Sequence, residues 1–217
     1  MVLCYNSRIM SKGDKTKKEI AAAFKSLMEK KPFEAITVSE ITDACGLNRL
    51  TFYYHFQDKY DLLNWIYYNE VMMVFRKDLS FENWADNLKN TFVKLKENEN
   101  YFINALAFNN IEFQNYMFEA SHELFSDMID NMTRDSGIEA KDKDFISDFF
   151  AHGVTGMVID WTRRGMKESP DEVVSKVKNI VDDTGHFAVI RYVTENMSSS
   201  RHEPTADRPH EDGSDAK

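Results

Sequence analysis

The chain has 217 residues, with 36 Asp and Glu against 27 Lys and Arg, a formal net charge of −9, and 42% hydrophobic residues. That composition supports a buried core and excludes a disordered chain; with only 8 Gly and 4 Pro it also excludes an all-β fold built on many tight turns. The two cysteines, Cys4 and Cys45, lie in no Cys-x-x-Cys pair and beside no paired histidines, which excludes a disulfide scaffold and a zinc site, and no stretch is apolar for long enough to span a bilayer.

Met1 to Tyr5 is a short apolar start below signal-peptide length. Translation can begin at Met1 or at Met10, and residues 1–13 are read as an N-terminal extension. The first helix is predicted from about Thr16 to Lys30. Thr16 and Glu19 have the capping-box spacing, and Ile20, Phe24, Leu27 and Met28 recur with helical period. Lys31-Pro32-Phe33 ends it, because proline lacks an N–H and disfavours helix in the residue before it.

A second helix is predicted from Thr37, again with a capping box to Glu40, and it stops at Gly46, which tolerates the left-handed conformation. Asn48 is a good N-cap for a short third helix through His55. Asp58 caps a fourth, running from Lys59 to about Leu79. Beyond it, helical patterning covers roughly 81–97, 101–109, 111–134, 142–166 and 170–194, with a break at Asp135-Ser136-Gly137. Ser169-Pro170-Asp171-Glu172 is a strong helix start. Residues 198–217 are polar, with almost no large apolar side chain, and read as a disordered tail.

Charge is distributed unevenly: residues 1–60 carry a net +3 and the remainder −12. A basic head on an acidic body suits a protein that meets phosphate at one end. The informative stretch runs from Thr37 to Lys59. It is a capped helix, a glycine turn and a short helix dense in hydrogen-bonding side chains, which is the helix-turn-helix pattern in which the second helix enters the major groove. Phe52 and Phe56, four residues apart, are expected in the core, and Tyr54 is expected to pack. No catalytic triad, paired-carboxylate or phosphate-loop pattern occurs in convincing context, so neither an enzyme nor a cofactor is expected.

Thr51-Phe-Tyr-Tyr-His-Phe56, followed by Asp58-Lys59 and Leu62-Leu63, together with Ile41, Gly46 and Leu47, closely resembles the TetR family of transcriptional regulators. The resemblance is specific over about residues 15–65 and general beyond. It implies an all-α fold: a three-helix helix-turn-helix DNA-binding domain over 14–60, then a larger helical ligand-binding and dimerisation domain over 61–197. It implies a cytoplasmic, homodimeric repressor of operator DNA. Thr37 would cap the bracing helix and donate to a phosphate. Asn48, Arg49, Leu50 and Thr51 would open the recognition helix, with Arg49 forking onto guanine and Leu50 or Thr51 meeting a thymine methyl. Tyr53, His55 and Lys59 would hold phosphates.

In the body, Phe102, Phe108, Phe113, Tyr116, Met117, His122 and Phe125 are candidates to line a small-molecule site, with Asn104, Asn109, Asn110 and Gln114 as polar contacts. The same aromatics equally suit an ordinary core. Phe149, Phe150, Gly153, Gly156, Met157 and Trp161, with Ala151, are the expected dimer face. The alternative is a regulator, possibly an activator, governed by a co-regulator protein docking on the body.

Overall fold

The computed structural model describes residues 12–80, 82–107, 110–132 and 139–182. The N-terminal extension up to residue 11, Phe108, Asn109, the break at Asp135-Ser136-Gly137, the last helix beyond 182 and the tail lie outside the described residues. Among the described residues every regular element is helical.

Helix α1 spans Lys12–Met28. Thr16 is therefore a turn inside the helix and not its cap, a correction to the expectation; Asp14 in the first turn supplies the negative charge that a helix N-terminus favours. Ile20, Phe24 and Met28 are buried as their spacing requires. Pro32, at φ −57 and ψ 145, turns the chain out of the helical path into a 3-10 turn, Phe33–Ala35. Phe33 plugs the core there, edge-on to Phe24 at 6.1 Å.

Helix α2, Val38–Cys45, opens with the expected capping box on Thr37 and Glu40. It closes on Gly46 at φ 66, where the requirement is conformational: a Cβ would meet nothing within 4 Å, but L side chains resist that backbone. Helix α3, Arg49–His55, is capped by Asn48. Helix α4, Lys59–Tyr67, is capped by Asp58, whose carboxylate accepts from the Tyr60 and Asp61 N–H groups at 2.8 and 2.9 Å.

The expected long fourth helix is present with an irregularity. After α4 the backbone widens into a π segment, Tyr68–Met72, before α5, Met73–Arg76. It stops short of Leu79 because Lys77 is extended and Asp78 turns left-handed, φ 49. Asn87 donates to the Phe75 and Lys77 carbonyls at 2.9 and 2.8 Å and Asn83 to that of Asp78 at 2.7 Å, so carbonyls freed at the helix end find partners.

The body continues with α6, Trp84–Glu97, α7, Glu99–Ala105, α8, Ile111–Met132, and α9, Ala140–Arg163. The long helices α8 and α9 pack on each other. Here α9 buries Ser147, Ala151, Thr155, Val158 and Trp161. Small residues let the backbones approach, and their hydroxyls are satisfied: Ser147 donates to the Lys143 carbonyl at 2.8 Å and Thr155 to Ser121 of α8 at 3.2 Å. Residues 170–182 are helical. The expected start signal operates, with the Ser169 N–H and hydroxyl both donating to Glu172 at 2.8 Å. Residues from Ser175 onward form a separate unit, within which Lys178 and Asp182 pair at 2.7 Å.

Candidate nucleic-acid interface

Helix α3 has two opposed faces. Phe52 and Phe56 are fully buried, as their spacing predicts. The opposite face is bare: Leu50 is 81% exposed, Tyr53 48% and Tyr54 84%. Tyr54 was expected to pack and instead points outward, because a residue two positions from Phe52 lies about 200° round the helix from it. Leu50 and Tyr54 are one turn apart on this face, and so are Arg49 and Tyr53. The Arg49 guanidinium lies 6.0 Å from the Tyr53 ring centre and donates to its hydroxyl at 3.4 Å. That stacking pre-orients a long cation at the surface.

Polar groups at the mouth of the helix are already committed in part. The Asn48 Oδ1 accepts from the Thr51 N–H at 2.8 Å and from its hydroxyl at 3.1 Å. The Thr37 hydroxyl donates to Glu40 at 2.8 Å. His55 is half-buried, edge-on to Tyr54 at 4.9 Å.

Lys59 departs from expectation. Its ammonium donates to the carbonyls of Phe33, Glu34 and Ile36 at 2.9, 3.0 and 3.0 Å, and it sits 4.6 Å from the Phe33 ring centre. An ammonium has three donors, and here all three close the turn between α1 and α2. The expectation that this ammonium holds a phosphate is corrected on that ground.

A second brace was not foreseen. Lys31 pairs with Glu40, the residue that completes the capping box on α2. The hydrogen bond from Lys31, followed by those from the Thr37 N–H and hydroxyl, lowers the Glu40 carboxyl from 4.5 to about 2. Lys17 lies 5.6 and 5.8 Å from the ring centres of Phe56 and Trp65, so this cation too rests on the head's own aromatic surface.

The residues proposed for a ligand site are core. Phe102, Phe113, Met117 and Phe125 are buried; Phe113 meets Tyr67 at 5.5 Å and Phe125 meets Phe75 at 6.1 Å. Tyr116 and His122 are half-buried. Two of the polar candidates are spent on backbone. Asn110 caps α8, accepting from the Phe113 N–H at 3.2 Å, and Asn104 ties α7 to the end of α1.

Helix α9 divides the expected dimer residues. Phe149 is 67% exposed, as is Phe145 at 71%, and Gly153 and Gly156 lie exposed along the same face. Met157 is half-buried at its edge, and Phe150 leans inward onto Phe125 at 5.7 Å. Trp161 does not belong to that face. It is buried, 5.0 Å from Phe92, and donates to the Glu168 carbonyl at 3.0 Å. Ala151 likewise faces the core.

Residues 20–66 match the family model for bacterial regulatory proteins of the tetR family, and residues 82–183 match that for a TetR transcriptional regulator C-terminal region. The chain belongs to the TetR family. It is a DNA-binding transcriptional regulator of all-α fold, and the TetR proteins it resembles are transcription factors rather than enzymes. It is 26% identical over 174 residues to the HTH-type dhaKLM operon transcriptional activator DhaS of Lactococcus lactis subsp. lactis (strain IL1403), covering 79% of this chain and 91% of that protein. The solved structure of a dihydroxyacetone kinase operon activator DhaS superposes with a TM-score of 0.61 at 26% identity, over 78% of this chain and 95% of that one. A TetR transcriptional regulator from Streptococcus agalactiae 2603V shares the fold, with a TM-score of 0.54 at 19% identity over 78% of this chain and 94% of that one. No described helix is long and apolar enough to cross a membrane.

Proposed function

We propose that the chain binds a roughly palindromic operator as a homodimer, with α3 of each subunit in the major groove. The observation that carries this reading is the two-faced α3, anchored from behind by Phe52 and Phe56 and bare over Arg49, Leu50, Tyr53 and Tyr54. Arg49 reads guanine O6 and N7, and Leu50 and the Thr51 methyl meet thymine. Asn48, Tyr53 and His55 hold phosphate, and Thr37 offers a weaker contact because its hydroxyl serves the cap. Two recognition helices then meet half-sites about 34–36 Å apart. The dimer forms through the open face of α9, over Phe149, Gly153 and Gly156, with Phe145 added and Trp161 removed.

For control, the favoured reading is activation governed by a partner protein docking on the body. It is supported by the name of the Lactococcus relative and by the packing of the proposed ligand-lining aromatics into the core. A second reading, repression relieved by a small-molecule effector, is favoured by one observation. A cleft of about 800 Å³ opens between α1 and α4, lined by Ala21, Ala22, Ser26, Trp65 and Asn69 among others.

The test begins with selection of duplexes from a random pool, followed by anisotropy titration of the enriched site against salt. A two-fold-symmetric site bound with a steep salt slope is expected. Phe149→Glu should convert a sedimenting dimer to monomer and weaken operator binding. Failure to enrich any site would refute the DNA-reading role of α3 as drawn. Deleting the gene in a reporter strain fixes the sign: lost transcription marks an activator, raised transcription a repressor.

A further inference from the structure

The turn between α1 and α2 is gripped from three sides. From α4, Lys59 takes the carbonyls of Phe33, Glu34 and Ile36. From α2, Glu40 takes Lys31. From the body, Asn104 of α7 spends its whole amide on the same segment. Its Nδ2 donates to the Met28 and Lys31 carbonyls, both at 2.7 Å, and its Oδ1 accepts from the Phe33 N–H at 2.9 Å. Those partners lie more than seventy residues away in sequence.

A planar amide bound at both ends fixes rotation as well as distance. The other links across this seam do less. Lys25 reaches Glu70 at 2.6 Å through a flexible stem, and Phe24 meets Tyr101 edge-on at 6.3 Å, a contact that tolerates sliding. Helix α7 is itself seated in the core by Tyr101, Phe102 and Ala105, so Asn104 carries the position of the body. The path onward is short. The turn holds the cap of α2 through Lys31 and Glu40, and α2 leads to α3 through Gly46 and Asn48.

We propose that Asn104 is a positioning residue for operator recognition: it keys the body to the α1–α2 turn, fixes the bearing of α3, and so sets the half-site spacing the dimer accepts. This rests on the dimeric operator reading above.

The experiment uses the full chain and three duplexes: the enriched operator, the same operator with one base pair inserted between half-sites, and a single half-site. The insertion displaces one half-site by about 3.4 Å and rotates it. Wild type should strongly prefer the uninserted operator. Asn104→Ala should reduce that preference about tenfold, within the range that coupling residues show, while half-site affinity stays within about twofold and the salt slope is unchanged. Asn104→Asp keeps the acceptor for Phe33 and loses both donors; it should reduce the preference in the same direction, and it carries the test if the alanine variant does not fold. Retained preference with all three affinities falling together would mean a merely structural role and overturn the proposal, as would no change on any duplex. A wild type without spacing preference overturns the dimeric reading, and this proposal with it.

Discussion

Lys59→Met separates two roles that one lysine cannot fill at once. The substitution keeps the stem against Phe33 and removes the ammonium. Hydrogen bonds to charged groups are worth about 1.5–3 kcal/mol each, but the Glu34 carbonyl lies exposed and regains water, whereas those of Phe33 and Ile36 are partly buried. Counting only those two and allowing partial rehydration, the loss is about 3 kcal/mol. For a chain of this size each kcal/mol moves the melting temperature by about 2–4 °C, so a fall of about 6–12 °C is expected. The assay pairs thermal denaturation followed by circular dichroism with operator anisotropy titrated against salt, at a temperature where both proteins are folded. The slope of log affinity against log salt should not change. An unaltered melting temperature with a slope reduced by about 1, the signature of one lost phosphate contact, would refute the structural role of Lys59 and restore the phosphate role.

Arg49→Ala should cost about 1–3 kcal/mol of operator affinity and relax base preference at one position of each half-site, read by binding to single-base operator variants. Tyr101 is buried with its hydroxyl lacking a hydrogen-bond partner among the described residues, and burial holds that hydroxyl far above its ordinary pKa. Tyr101→Phe should therefore raise stability, by about 1 kcal/mol or about 2–4 °C in a thermal melt. Glu40 is depressed from 4.5 to about 2 in the folded chain by the Lys31 hydrogen bond first and the Thr37 bonds next. The unfolded chain thus binds a proton first as pH falls, so the stabilisation from Glu40 is complete above pH 4.5 and is lost progressively toward pH 2. Glu40→Gln should remove that part of the acid dependence; an unchanged pH profile of denaturation would show that the pairing with Lys31 contributes nothing.

Local chemistry made the head readable. The Thr37–Glu40 box, the left-handed Gly46 and the Asn48 cap are each settled within four residues, and all three operate. The inward pair Phe52 and Phe56 follows from helical period alone, and the same period places Tyr54 outside; treating every aromatic of the motif as filler hid that. What the sequence could not show acts at long range. The partners of Lys59 lie 23 to 26 residues away and those of Asn104 71 to 76. In α9 the hydrophobic pattern misled for a physical reason. The buried face carries Ser147, Thr155 and Thr162, while the exposed one carries Phe145 and Phe149. Close packing on α8 selects small side chains whose hydroxyls bond locally, so the larger apolar residues fall on the side left open.

The π segment at Tyr68–Met72 makes head and body a matter of phase. Each turn of π-helix takes up roughly one residue more than an α-turn. Deleting one residue there would let the stretch close as ordinary α-helix, at the cost of turning everything beyond it by about 100°. Val71, Met72 and Phe75 are buried beyond the start of that widening, so the rotation would swing them out of the core. The spare residue is thus what lets one rod present Leu62, Leu63 and Ile66 to one set of neighbours and Phe75 to another. A single-codon insertion or deletion in this short window would retune the angle between the reading head and the body while leaving every element of both intact.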